Sequence, residues 1–310
     1  MVGTVEHAGR ALPRRGGRIR ESRVDRVFLT VIVIFLTFVL ISVLYPLIFI
    51  VSSSFSSTSA VIAGRVWLFP VEPSLLGYEA VFEHRSVLIG YVNSAVYTFF
   101  GTIINVVLTV CIAFPLSRSD FFGRNFLMMS LVFTMLFSGG LIPLYLVVLK
   151  LGLMNTRWAM LLPEALVVWF VIIARTYFQT SIPDELAEAA SIDGCRDTYF
   201  VWAVVLPLSK PIVAVLTLMY AVAHWNRYFH ALMFLSSERL YPLQIVLRNI
   251  LILNQTQEMA VEVSEELMRQ GLADLMKFSL IVVASAPVLA LYPFVQRYFI
   301  KGIMIGSLKG

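Results

Sequence analysis

ELAEAASIDGCRDTYFVWAVVLPLSKP, residues 185–211, is the stretch whose reading decides the fold. It reads as two short helices hinged at a glycine. Ser181 stands in capping position for the first helix, with Asp184 three residues on and Pro183 at a tolerated first-turn position. Leu186, Ala189, Ala190 and Ile192 give that helix a small apolar face, while Glu185, Glu188 and Asp193 point elsewhere. Gly194 falls where a helix ends in a left-handed residue, a conformation glycine adopts at little cost. A second helix is expected over 196–206, stopping at Pro207, with Pro211 starting the next.

Working outward, the knuckle lies between two apolar runs, 158–178 and 211–235, each long enough to cross a bilayer. Four more runs complete the pattern at 27–51, 87–114, 126–149 and 275–299. The first covers about 37 Å as a helix. That is too long for a signal-peptide core, so the Arg14-Arg15 pair before it does not make it an export signal. The expected fold is therefore an all-α polytopic membrane protein with six transmembrane helices, the helix–turn–helix of 179–210 lying between spans 4 and 5. Gly139, Gly140 and Pro143 predict a break or a close approach within the third span. Residues 52–85 and 236–274 read as polar loops. Two glycines, Gly302 and Gly306, make 301–310 a poor helix and a flexible tail.

Composition agrees. The chain is 59% hydrophobic and 14% charged, whereas a soluble domain carries about a quarter charged residues. Its net charge of +5 does not mark a nucleic-acid binder, because Arg and Lys gather in the tails and short loops rather than on one face. The tail of residues 1–26 alone holds Arg10, Arg14, Arg15, Arg18, Arg20, Arg23 and Arg26. That asymmetry puts both termini and the knuckle in the cytoplasm. Cys111 in an apolar run and Cys195 in the knuckle are expected as free thiols, and the scattered histidines offer no metal spacing.

Three classes of function fare badly. The sequence lacks a G-x-x-x-x-G-K-[ST] phosphate loop, so it has no ATP cradle of that type. No nucleophile–base pair sits in a plausible cleft, which argues against an enzyme. An ion-coupled secondary carrier or channel is the alternative reading. Many such carriers are built from internal repeats, and none is evident; ion coupling needs ionisable groups near mid-membrane, and the span interiors are nearly free of these apart from Glu164, His224, Arg227 and His230. The fifth span nevertheless gathers Tyr220, His224, Trp225, Asn226, Arg227 and Tyr228. Polar groups among aromatic faces suit a sugar path. They also suit an interfacial aromatic belt with interhelical hydrogen bonds, and Asn93 reads in the same way.

The spacing of Glu188-Ala189-Ala190, Gly194, Val204 and Leu206-Pro207 resembles the EAA loop of binding-protein-dependent ABC importer permeases, with Val204 where Ile is usual. FSGGLIPLY at 137–145, HWN at 224–226, YPLQ at 241–244 and QRYFIKGIMIGSLKG at 296–310 are similar to carbohydrate-importer permeases of the maltose and lipo-oligosaccharide branches. The resemblance covers residue 27 onward. It implies a non-enzymatic permease subunit in the cell membrane, paired with a second homologous permease. Two ATP-binding subunits would hold ATP and Mg, no cofactor belonging to this chain. An extracytoplasmic solute-binding protein would deliver an oligosaccharide. The residues it makes ATPase-coupling are Glu185, Glu188, Ala189, Ala190, Asp193, Gly194, Leu206 and Pro207. It also implies that the 301–310 tail reaches the ATPases and that the 236–274 loop, acidic at Glu258, Glu262, Glu265 and Glu266, touches the binding protein.

Overall fold

The computed structural model describes the backbone of residues 22–257 and 263–307, and side chains within 22–250 and 271–293. The chain divides into two units, residues 1–48 and 49–310. The helix of the first unit is α1, Arg23–Ser54, whose apolar side chains from Val24 to Leu47 are exposed apart from the half-buried Ile32.

In the second unit two short helices, α2 (Thr58–Ile62) and α3 (Leu76–Glu83), precede α4 (Arg85–Ser117). This long helix is central: it touches α12 (Lys210–Trp225), α8 (Val168–Ser181) and α14 (Leu243–Gln257). Its sequence is inverted relative to a soluble helix. Gly90, Asn93, Ser94, Tyr97, Gly101, Asn105 and Thr109 recur at helical spacing and are buried. Val92, Phe99, Phe100, Ile103 and Val107 are exposed. Hydrocarbon solvates an outward Phe as well as a protein interior does, so small and hydrogen-bonding residues take the packing face.

Among the described residues, three helices are long and apolar enough to cross a membrane: Arg23–Ser54, Arg85–Ser117 and Gly271–Pro293, the last within α15 (Val263–Ser307). Two bent pairs raise the number to five if each counts as one span. One joins α5 (Arg124–Leu136) and α6 (Leu141–Lys150) at 111°. The bend falls at Gly139 and Gly140, where a break was expected, and Gly140 has φ +83°. The other joins Asp197–Leu208 to α12 at 87°.

Several expectations are corrected. Residues 158–178 are not one helix: α7 (Trp158–Leu161) stops, and α8 starts only at Val168. Pro163 supplies no N–H there and Glu164 turns the chain with φ +59°. Residues 236–274 are largely helical, not a polar loop. Leu243, Ile245 and Val246 of α14 are buried, and Asn93 Nδ2 donates to Arg239 O (2.8 Å) and Tyr241 O (3.1 Å). Tyr97 OH donates to Leu240 O at 2.8 Å, and Ser94 Oγ accepts from Leu243 N at 2.9 Å. These three α4 side chains pin the start of α14. Glu258 and Glu262 lie outside the described residues. The tail is not extended: α15 runs helical through Gly302 and Gly306 to Ser307, each glycine costing only about 1 kcal/mol in a 45-residue helix.

Candidate coupling site and translocation path

Helix α9, Asp184–Ile192, forms the first half of the knuckle. Ser181 does not cap it, being the last residue of α8; Pro183 occupies the cap position in an extended conformation. Asp184 and Glu185 lie in the first turn, where carboxylates complement the positive helix end. At the other end Gly194 has φ +72°, Cys195 N donates to Ala190 O (2.9 Å) and Gly194 N to Ser191 O (3.0 Å). That pair of bonds is a Schellman closure, and it requires the left-handed residue. A Cβ at Gly194 would meet no atom of this chain within 4 Å, so conformation rather than crowding requires the glycine within this chain.

The second half starts with α10 (Asp197–Phe200), widens into a π-turn over Val201–Val205 and ends as α11 (Leu206–Leu208). Pro207 thus lies one residue before the end of this helix. It lacks the N–H that would bond to Ala203, and the wide π-turn just before it takes up the ring. The apolar face also differs from the expected one. Ala187 and Ala190 turn inward to a core built from Val110, Val171, Phe178, Phe200 and Leu216. Leu186, Ala189 and Ile192 stand exposed, Ile192 at 87%, beside the exposed Glu185, Glu188, Asp193, Tyr199 and Trp202. Leu206 is half-buried and Pro207 exposed. Behind the knuckle a groove of about 600 Å³ opens toward α4, bordered by both free cysteines, Cys111 and Cys195.

Sequence reasoning missed what holds this knuckle to the body. Arg118, just past α4, is 7% exposed and has Nη1 2.9 Å from Asp184 Oδ1 and Nη2 donating to Ile182 O at 2.8 Å. The Nη1 contact is an ion pair rather than a well-aligned hydrogen bond, and Nη1 makes no hydrogen bond elsewhere. Ser119 Oγ donates to Asp184 Oδ2 at 2.6 Å, and Arg124 Nη1 to Arg118 O at 3.0 Å. The missing signal is the position of Arg118 directly after the apolar run, where the aliphatic stem stays buried.

The fifth-span cluster divides. Tyr220, His224 and Trp225 are turned into the chain. Tyr220 OH lies 2.7 Å from Thr109 Oγ1, and Trp225 Nε1 donates to Ala284 O at 2.9 Å. The ring of His224 lies over Gly101 so closely that a Cβ there would overlap it. Oriented by its hydrogen bonds, Asn105 donates to Gly101 O at 2.8 Å and accepts from His224 Nε2 at 3.3 Å. Arg227 Nη1 donates to Met160 O (3.1 Å) and Pro163 O (3.3 Å), closing the break after α7. Asn226 and Tyr228 remain exposed.

Residues 85–305 match the family of the binding-protein-dependent transport system inner membrane component. The chain belongs to that family. It is similar to Protein LplC of Bacillus subtilis (strain 168), with 38% identity over 94% of this chain and 98% of that protein. The polygalacturonan/rhamnogalacturonan transport system permease protein YtcP of the same organism is 41% identical over 89% of this chain and 95% of its own length. Among solved structures, a bacterial ABC transporter involved in the import of the acidic polysaccharide alginate has a chain that superposes with a TM-score of 0.81. That chain is 34% identical, and the match covers 90% of this chain and 99% of that one. The protein is thus a permease subunit of an ABC importer, an all-helical inner-membrane component among the described residues, whose part in transport is not enzymatic.

Proposed function

We propose that this permease forms half of the path for an oligosaccharide. In this reading it spans the membrane six times with both termini cytoplasmic, beside a second homologous permease. Two ATP-binding subunits, holding ATP and Mg, dock at 179–210, the 301–310 tail reaches toward them, and an extracytoplasmic solute-binding protein delivers the sugar. The chain's similarity to a polygalacturonan/rhamnogalacturonan permease and to an alginate importer supports a carbohydrate, and the acidic character of those polysaccharides favours a charged one. The observation that carries the coupling role is the exposure of Leu186, Ala189, Ile192 and Trp202 alongside Glu185 and Glu188. An apolar patch rimmed by carboxylates on a short helix is what a basic-edged groove of a soluble subunit would bury.

Tyr220, His224 and Trp225 are occupied by bonds inside the chain, so we assign sugar contact in this segment to the exposed Asn226 and Tyr228. Proteoliposomes holding the complete complex test the reading. ATP-dependent uptake of galacturonate or alginate oligosaccharides in preference to neutral maltodextrins is expected. Uptake driven by an ion gradient without ATP would replace the importer by a carrier.

A further inference from the structure

Helix α9 has no buried residue, and it meets the core only through the small side chains Ala187 and Ala190. On one flank lies the groove bordered by Val110, Phe114, Cys195 and Trp202, so no packed wall backs it there. Among the described residues, the side-chain hydrogen bonds and ion pairs that tie 182–195 to other elements all end on Arg118 and Ser119. Arg118 is itself held on several sides. Nε donates to Ser117 Oγ at 3.4 Å, the guanidinium lies 5.3 Å above the Phe114 ring, and Arg124 grips its carbonyl. Arg175 Nε donates to Leu116 O at 2.9 Å, two residues before it, from α8.

We infer that Arg118 and Asp184 form a positioning latch that transmits displacement of α9 to the central helix α4. Arg118 is suited to this because its planar fork engages Asp184 and the Ile182 carbonyl at once, fixing both the position and the direction of the helix start. A push on the exposed face of α9 then has a stiff polar route to α4, whose buried side chains Asn105, Thr109 and Tyr97 hold α12 and the segment before α14. Without the latch the alanine contacts would let α9 slide over the core. This inference rests on the coupling role proposed above.

The test uses the full complex with its partner permease, ATP-binding subunits and binding protein, and reads sugar moved per ATP hydrolysed, ATPase retention and thermal midpoint. Asp184→Asn keeps the shape and the acceptor for Ser119 but removes the charge. It is expected to leave assembly and hydrolysis within about twofold while sugar per ATP falls about fivefold. Arg118→Lys keeps the charge but cannot grip two acceptors in one plane, and is expected to fall to a similar ratio. The Arg118→Lys/Asp184→Asn pair should be no worse than either alone, as for two ends of one contact. A merely structural role would lower yield and both activities in proportion and leave the ratio unmoved. If Arg118→Lys fails to assemble, Asp184→Asn still decides, since that side chain is 47% exposed and tolerates replacement. A wild-type ratio in Asp184→Asn overturns the latch when Glu188→Ala in the same preparation is uncoupled. A wild-type ratio in both removes the coupling reading on which it rests.

Discussion

The α4–α12 interface and the 184–208 knuckle are built on opposite terms. At the interface, small and polar residues meet at close range: Gly101 under the His224 ring, Asn105 between His224 and Ala165, Thr109 against Tyr220. These polar groups meet partners inside the chain, because hydrocarbon offers none, although His224 Nδ1 is left without one. The knuckle keeps apolar Leu186 and Ile192 and its carboxylates outside, and is held at one end by Arg118. The first region spends its polarity on holding the chain together; the second leaves its surface unsatisfied for another subunit. The difference teaches where to look for partners in a membrane protein. Exposed apolar surface along a span is ordinary, whereas exposed apolar surface among carboxylates beyond the spans is not.

The harshest way to break the contrast is Gly101→Ala. Its Cβ would overlap the His224 ring, and that ring cannot swing away without losing Asn105. Overpacking of this kind costs about 1–3 kcal/mol, so folded yield and thermal midpoint should drop sharply. An unchanged midpoint would mean that α4 and α12 are not locked there. Next comes Glu188→Ala on the exposed face. If the carboxylate pairs with a basic group of an ATP-binding subunit, about 2 kcal/mol of docking is lost. Sugar-stimulated hydrolysis should then fall with the thermal midpoint unchanged, whereas wild-type stimulation would leave the knuckle without its partner.

The Gly194 series sharpens the same comparison more gently. With φ +72° and open space around its Cβ position, the residue needs conformation rather than room in this chain. Gly194→Ala should cost about 1–2 kcal/mol, Gly194→Val more, and Gly194→Asn least, because Asn enters the left-handed region readily. Coupled hydrolysis and subunit retention should follow that order; Asn falling below Ala would show that a docked subunit crowds the site. The smallest effect belongs to Glu72, in the segment between α2 and α3. Hydrogen bonds from Ser57 (2.6 Å), Ser59 (3.1 Å) and Arg65 (3.1 Å) lower its carboxyl below the ordinary value of 4.5. A lowered folded-state value means the contribution is complete above the unfolded value and lost as pH falls through the folded one. The carboxylate is exposed to solvent, so the loss should be slight. Proteolysis of this segment should quicken modestly in acid, and Glu72→Gln should abolish that dependence.

Much of this was legible in the sequence. The all-helical membrane class follows from apolar runs of bilayer length, the hinge from Gly194, the break in the third span from Gly139 and Gly140, and the permease family from the EAA spacing. Local conformation and solvent preference are written in single residues, so a linear reading reaches them. The errors share a cause. Residues 236–274 looked like a loop because their polar and apolar residues alternate without a bilayer-length run. Their helix forms because Asn93, Ser94 and Tyr97, some 150 residues earlier, hold the backbone leading into it. Leu186 and Ile192 read as part of the helix's small apolar face, yet only the neighbouring core decides which way a short helix turns.

Sequence by itself therefore determined the class, the family, the hinge and the break in the third span, since each depends on one residue's backbone freedom or on the apolarity of a continuous run. Only the tertiary structure decided which polar groups are consumed inside the chain and which are left for others. Arg118 and Asp184 are 66 positions apart and become a pair only when the end of α4 meets the start of α9. Within the fifth span, packing turned Tyr220, His224 and Trp225 inward and left Asn226 and Tyr228 outside. In a bilayer a polar side chain gains whichever partner comes within hydrogen-bond reach, and that reach is set in space, not by order along the chain.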